Sequence, residues 1–136
     1  MKDISQVSSL KSVPRAGFRS ITPRIFVADV AGQIAFLRSV FDATGAHHAD
    51  RPAEMRIGDS VVMVASADVR AAFPAFLYVY VDDADAVYAR ALAAGATPLE
   101  APFDTPYGDR RAMVRDPFAN VWQIAHVIMA AESARR

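Results

Sequence analysis

The feature that most constrains this chain is that its pattern of elements runs twice. Val27-Ala28-Asp29 and Val81-Asp82-Asp83 each close an apolar, strand-like run with carboxylates suited to cap a helix. Gly45-Ala46 and Gly95-Ala96 each follow the helical stretch, and Ser60-Val61-Val62 corresponds to Asn120-Val121-Trp122. The offsets are about 50 to 60 residues, which suits an internal repeat of one supersecondary unit. A sheet with one helix has one covered face and one bare face. Two such sheets paired along an edge would curve around a shared hollow, the default place for a ligand.

Within the first copy, Ile21, Pro23, Ile25 and Val27 alternate as one face of a strand. Asp29 reads as an N-cap, and Ile34, Leu37, Val40 and Phe41 form one apolar helical stripe that Gly45 would end. Three strands are expected next, at Ala46 to Ala49, Ala53 to Ile57 and Ser60 to Ala65, with Gly58-Asp59 as a turn. In the second copy, Phe76 to Val81 is rich in β-formers. The helix that follows carries Val87, Ala91 and Leu92 on one face and ends at Gly95. Strands are expected near Thr97 to Leu99, Arg111 to Arg115 and Val121 to His126, the last two joined by Asp116-Pro117-Phe118-Ala119-Asn120.

The predicted fold class is α+β, with two βαβββ modules whose mixed sheets curve around a central cavity. Residues 1–20 read as a flexible polar leader, residues 21–127 as one domain with modules at about 21–66 and 76–126, and residues 128–136 as a tail or short helix.

Composition excludes several functions. Lysine plus arginine equal aspartate plus glutamate at 15 each, so nothing electrostatic favours nucleic acid or an anionic membrane. The chain has no cysteine, which removes disulfides, thiolate zinc sites and cysteine nucleophiles and fits a reducing cytoplasm. No serine–histidine–acid order, phosphate loop or HExxH helix occurs.

Four stretches carry a family resemblance: Thr22-Pro23-Arg24-Ile25-Phe26-Val27-Ala28-Asp29, Arg56-Ile57-Gly58-Asp59-Ser60-Val61-Val62-Met63, the run from Tyr80 to Tyr88, and Tyr107-Gly108-Asp109-Arg110-Arg111 continuing into Arg115 to Gln123. In this order they resemble the vicinal oxygen chelate superfamily of glyoxalase, bleomycin-resistance and extradiol dioxygenase proteins, most closely its PhnB-like branch. The resemblance implies a glyoxalase/bleomycin-resistance-like fold, a homodimer or two-module barrel, and a small-molecule ligand gripped by concave sheets. Many members hold a divalent metal through the first and last strand of each module. Here those positions fall at Pro23, near Leu77, near Val62 or Met63, and at Gln123, so the usual metal is not expected. The resemblance also favours glycine at Ala119, where alanine would cost about 1 kcal/mol if the backbone is left-handed.

The candidate ligand-binding residues are Gln123, Arg111, Met113, Ile25, Met63, Leu77 and Val79, with Pro23 beside them. Gln123 offers an amide, and Arg111, Met113 and Arg115 share a strand face, so a guanidinium could anchor an anion. His47 and His48 read as edge histidines on opposite faces of a strand, His126 as structural, and Tyr78 and Tyr80 as packing under helices. This apolar lining with one amide suits an apolar or aromatic metabolite, sequestered or converted. The alternative is a divalent-metal-dependent lyase, isomerase or dioxygenase with displaced ligands drawn from His126, His47 or Glu54. Whether the chain is catalytic is open at this level.

Overall fold

The computed structural model describes residues 14–68 and 70–128. The expected C-terminal helix falls almost wholly outside them, and so does the first part of the leader.

The first module contains β1 (Arg24–Val27), α1 (Val30–Phe41), β2 (Ala53–Ile57) and β3 (Ser60–Ser66). The second contains β4 (Phe76–Tyr80), α2 (Ala84–Ala93), β5 (Thr97–Asp104), β6 (Asp109–Arg115) and β7 (Val121–Val127). The strand order is β1-β3-β2 in one sheet and β4-β7-β6-β5 in the other. In both, the first strand runs parallel to the last and the intervening strands run antiparallel, so the repeat is topological as well as sequential.

Both helices begin as their caps require. The Asp29 carboxylate accepts from the Gly32 backbone N–H, and the Asp83 carboxylate from that of Ala86. Gly95 ends α2 at φ +100°, as expected. Gly45 does not end α1: the chain turns three residues earlier at Asp42, whose φ of 55° lies in the left-handed region that aspartate tolerates.

The strand expected at Ala46 to Ala49 does not form. Thr44 makes a single antiparallel bridge with Arg56 through backbone bonds of 3.0 and 2.7 Å. Gly45 follows at φ +137°, so close to β2 that a Cβ would lie 2.3 Å from the Glu54 carbonyl oxygen. Ala46 to Pro52 then leaves the sheet, a stretch poor in β-formers and closed by proline. Among the described residues the first sheet therefore has three strands where the second has four.

One core serves both modules. Ile25, Val27, Val62, Val64 and Met55 face α1, and Val114, Trp122 and Ile124 face α2. Phe41 of α1 packs against Trp122 of β7 with ring centroids 4.9 Å apart. Buried polar groups reinforce this seam. Gln33 of α1 donates to Asp116 at 3.0 Å, Asn120 donates back to the Gln33 carbonyl at 2.8 Å, and Trp122 Nε1 donates to Asp116 at 2.9 Å. The modules thus meet through their helix sides. Among the described residues, no hydrogen bond or ion pair joins the bare face of one sheet to the bare face of the other. The fold thus provides a bare face on each sheet and a cleft at the module boundary.

Described leader residues 14–20 are docked. Arg15 pairs with Glu54 at 2.8 Å, the Gly17 carbonyl accepts from Arg56, and Arg19 pairs with Asp59. Ala119 sits in the β6–β7 turn at φ 77°, as the resemblance led one to expect. Replacing it with glycine should raise unfolding stability by roughly 0.5–1 kcal/mol, because a left-handed alanine is strained by more than the added chain entropy of glycine costs. Urea unfolding checks this, and an equal or lower midpoint for A119G would show that the turn is not strained.

Candidate functional site

Pairing register decides which side chains share a face. Leu77 lies opposite Trp122, and Val79 opposite Ile124, so both turn toward the helix-side core. Tyr78 lies opposite Gln123, and Tyr80 opposite Ala125, on the bare face. Met113 opposes Gln123 on the other side, and Arg111 opposes Ala125. The bare face of the second sheet therefore carries Tyr78, Tyr80, Gln123, Met113 and Arg111. This reverses the expectation for the tyrosines, which do not pack under helices, and removes Leu77 and Val79 from that face.

Leu77 and Val79 instead line a cleft of about 330 Å³ at the module boundary. Its other walls include Pro23, Val62 and Trp122, and the Arg19–Asp59 pair stands among its lining. Tyr78 and Tyr80 border this cleft as well as the bare face, so they join the two. Ile25 belongs to neither: it is 1% exposed and packs beneath α1. Met63 lies on the bare face of the first sheet, beside Arg24 and Glu54.

The two tyrosines are tied to one buried carboxylate. Their hydroxyls donate to the same oxygen of Asp109, at 2.6 Å from Tyr78 and 2.8 Å from Tyr80, with the rings 5.4 Å apart. Asp109 is held in turn by Thr105, whose hydroxyl accepts from the Asp109 backbone N–H. Burial and then the bond to Asp109 push the Tyr78 phenol well above its ordinary range. For Tyr80 the Asp109 bond is the larger cause and burial the smaller, in the same direction. Both hydroxyls are thus fixed as neutral donors to Asp109, with their rings presented to the face. Asp109 stood in the sequence only within the resembling stretch Tyr107 to Arg111, and nothing there marked it as a shared acceptor.

Arg111 is not a free anion anchor. It pairs with Glu100 at 2.8 Å, donates to the Tyr107 hydroxyl at 3.0 Å and lies over the Phe103 ring. Its Nε is buried without a partner among the described residues. Arg110 faces the other way and is matched by Asp85 and Asp104. His126 accepts the Ala84 backbone N–H at 2.7 Å, a structural contact at the start of α2. His47 and His48, with no strand to separate them, border one cavity.

The register also shows which residues stand at the positions that the resemblance singled out for metal ligands. Opposite Gln123 stands Tyr78 rather than Leu77, and opposite Met63 stands Arg24 rather than Pro23. The set is thus a guanidinium, a thioether, a phenol with a raised pKa and an amide, which is a poor fit to a divalent ion. Among the described residues, no three histidine, aspartate or glutamate side chains converge as a metal set.

With this geometry in hand, the comparisons define the class. The profile of the Glyoxalase/Bleomycin resistance protein/Dioxygenase superfamily matches residues 18–124, and the chain belongs to that superfamily. Among curated proteins it is 30% identical to the uncharacterized protein Mb0911c of Mycobacterium bovis, across 80% of this chain and 84% of that one. Among solved structures it resembles a glyoxalase/bleomycin resistance protein/dioxygenase family enzyme from Burkholderia phytofirmans PsJN. That match has a TM-score of 0.67 and 25% identity, over 78% of this chain and 96% of the other. TioX from Micromonospora sp. ML1 shares the fold at a TM-score of 0.69 and 22% identity, over 80% and 98% of the two chains. Among the described residues, no helix is long and apolar enough to cross a membrane.

The tyrosine pair makes a direct expectation. A raised phenol pKa in the folded state contributes stability that is fully present below about pH 10 and is lost as pH rises above it. In an ultraviolet titration, two of the chain's four tyrosines should resist ionisation beyond the ordinary phenol range. Asp109→Asn should bring them back toward it and flatten the alkaline loss of stability. Four ordinary titrations in the unaltered protein would contradict the arrangement.

Proposed function

We propose that this chain is a small-molecule-binding member of the glyoxalase superfamily that takes an apolar or aromatic metabolite without the family's metal, to sequester or convert it. The observation that carries this reading is the placement of Tyr78 and Tyr80. They present two tilted rings beside Gln123, border a cleft with apolar walls, and have hydroxyls already committed to Asp109. Such a surface recognises a flat ring by stacking and apolar burial, with the Gln123 amide left to orient it. The four register positions support the metal-free part, because none offers an imidazole or a carboxylate. The neutralised Arg111 argues against a small dianion on this face.

The same reading makes the working form a homodimer. Phe76, Tyr78, Tyr80, Phe103, Val127 and Ile128 are all substantially exposed, and the bare faces within one chain do not cover each other. A second copy would cover the second sheet and turn an open face into an enclosed one.

Calorimetric titration with 1-naphthol, of protein treated with chelator and of protein supplied with Mn²⁺, Ni²⁺ or Zn²⁺, tests the proposal. Saturable binding should be the same in every arm, and Y78A/Y80A should weaken it about tenfold or more, the equivalent of about 1.4 kcal/mol. Light scattering should give twice the 14.7 kDa chain mass. Stoichiometric metal uptake with a large thermal shift, or naphthol binding only when metal is present, would overturn the metal-free reading in favour of a metal-dependent lyase, isomerase or dioxygenase.

A further inference from the structure

Arg111, which sequence reasoning selected as an anion anchor, is paired with Glu100, but other cations converge elsewhere. A cavity of about 410 Å³ lies where the α1–β2 connection passes the end of the first sheet. Arg24, Arg51, His47 and His48 all border it, and Asp50 is the one carboxylate in its lining. Among the described residues, neither Arg24 nor Arg51 has a carboxylate within ion-pair distance. The Arg24 guanidinium stacks over the Phe26 ring, 5.0 Å from its centroid, which holds the group without using its N–H donors. Arg51 Nη2 donates to His48 Nε2 at 3.4 Å, which sets a guanidinium beside an imidazole. Ser66 adds a hydroxyl, and Val30, Pro52 and Val64 form an apolar wall.

The connection is also held in place. Thr44 is bridged to Arg56, and Arg38 donates to the Gly45 carbonyl at 2.6 Å. Because no strand forms at Ala46 to Ala49, the adjacent histidines both reach one cavity. Guanidinium forks and imidazole N–H groups without carboxylate partners match the oxygens of a tetrahedral oxyanion, and the apolar wall matches a small organic substituent.

We propose that this cavity is a second ligand site, distinct from the tyrosine face, that binds a small organic phosphate monoester. The phosphoryl oxygens meet Arg24, Arg51 and the histidines, and the organic part lies against Val30, Pro52 and Val64. Its basis is independent of the aromatic ligand proposed for the second sheet.

Calorimetric titration of the full chain with phenyl phosphate, inorganic phosphate and phenol tests it. Phenyl phosphate should saturate one site per chain, weaken as salt rises, and bind more tightly than either inorganic phosphate or phenol. R24Q/R51Q should weaken it about tenfold or more, since charge-assisted bonds are lost. R51Q alone alters only an exposed loop residue and should weaken it several-fold with the melting temperature unchanged. R111Q, on the other sheet, should leave it intact. No saturation by phenyl phosphate, binding unchanged in R51Q and R24Q/R51Q, or equally tight binding of inorganic phosphate would overturn the proposal.

Discussion

Asp116 is 3% exposed and accepts four hydrogen bonds, from the Gln33 amide, the Trp122 indole and the backbone N–H groups of Phe118 and Asn120. Two of these shape the β6–β7 turn, one fixes the core tryptophan, and one reaches across to α1 of the other module. Asn120 completes the circuit by donating to Gln33 and by accepting the Ala75 backbone N–H just before β4. A buried carboxylate is costly to desolvate unless its acceptor capacity is used, and here it is used fully. The turn also approaches α1 so closely that a Cβ on Gly32 would lie 2.9 Å from the Phe118 ring. This contact sets how the modules sit: helix sides together, bare sheet faces apart.

The chemistry of the molecule follows from that arrangement. Because the helix sides meet, the bare faces form two surfaces, with Arg24 and Met63 on one and Tyr78 and Gln123 on the other. The residues now at those positions suit separate tasks. Tyr78 and Gln123 belong to an aromatic surface continuous with the boundary cleft. Arg24 belongs to a cationic cavity beside the α1–β2 connection. Charge is distributed the same way. Arg110 and Arg111 are spent on carboxylates within the second module, while Arg24 and Arg51 are not.

Much of the fold was legible in the sequence, because caps and periodicity are local. Asp29, Asp83 and Gly95 act as their residue types require, and the left-handed Ala119 sits where the resemblance favours glycine. What was not legible depends on partners distant in the chain. In Phe76 to Tyr80, both faces of the strand are aromatic or aliphatic, so nothing within β4 selects the inward one. The choice is made by β7, where Leu77 meets Trp122. Arg111 reads as an anchor until Glu100 closes on it from β5, and Gly45 reads as a helix stop until β2 claims it for close approach. Gln33 gave no signal at all, since one amide beside an apolar stripe does not disclose a partner 83 residues away.

The seam between the modules is most directly measured by a double-mutant cycle on Gln33 and Asp116. Gln33→Met keeps the side-chain volume and removes the amide, and Asp116→Asn keeps the shape and removes the charge. Urea unfolding of the two single variants and the pair yields their coupling energy. A coupling of about 1–3 kcal/mol is expected if the pair locks α1 of the first module to the last turn of the second. A coupling near zero would mean that the modules are not held this way, and with it would go the separation of the bare faces on which the aromatic site depends.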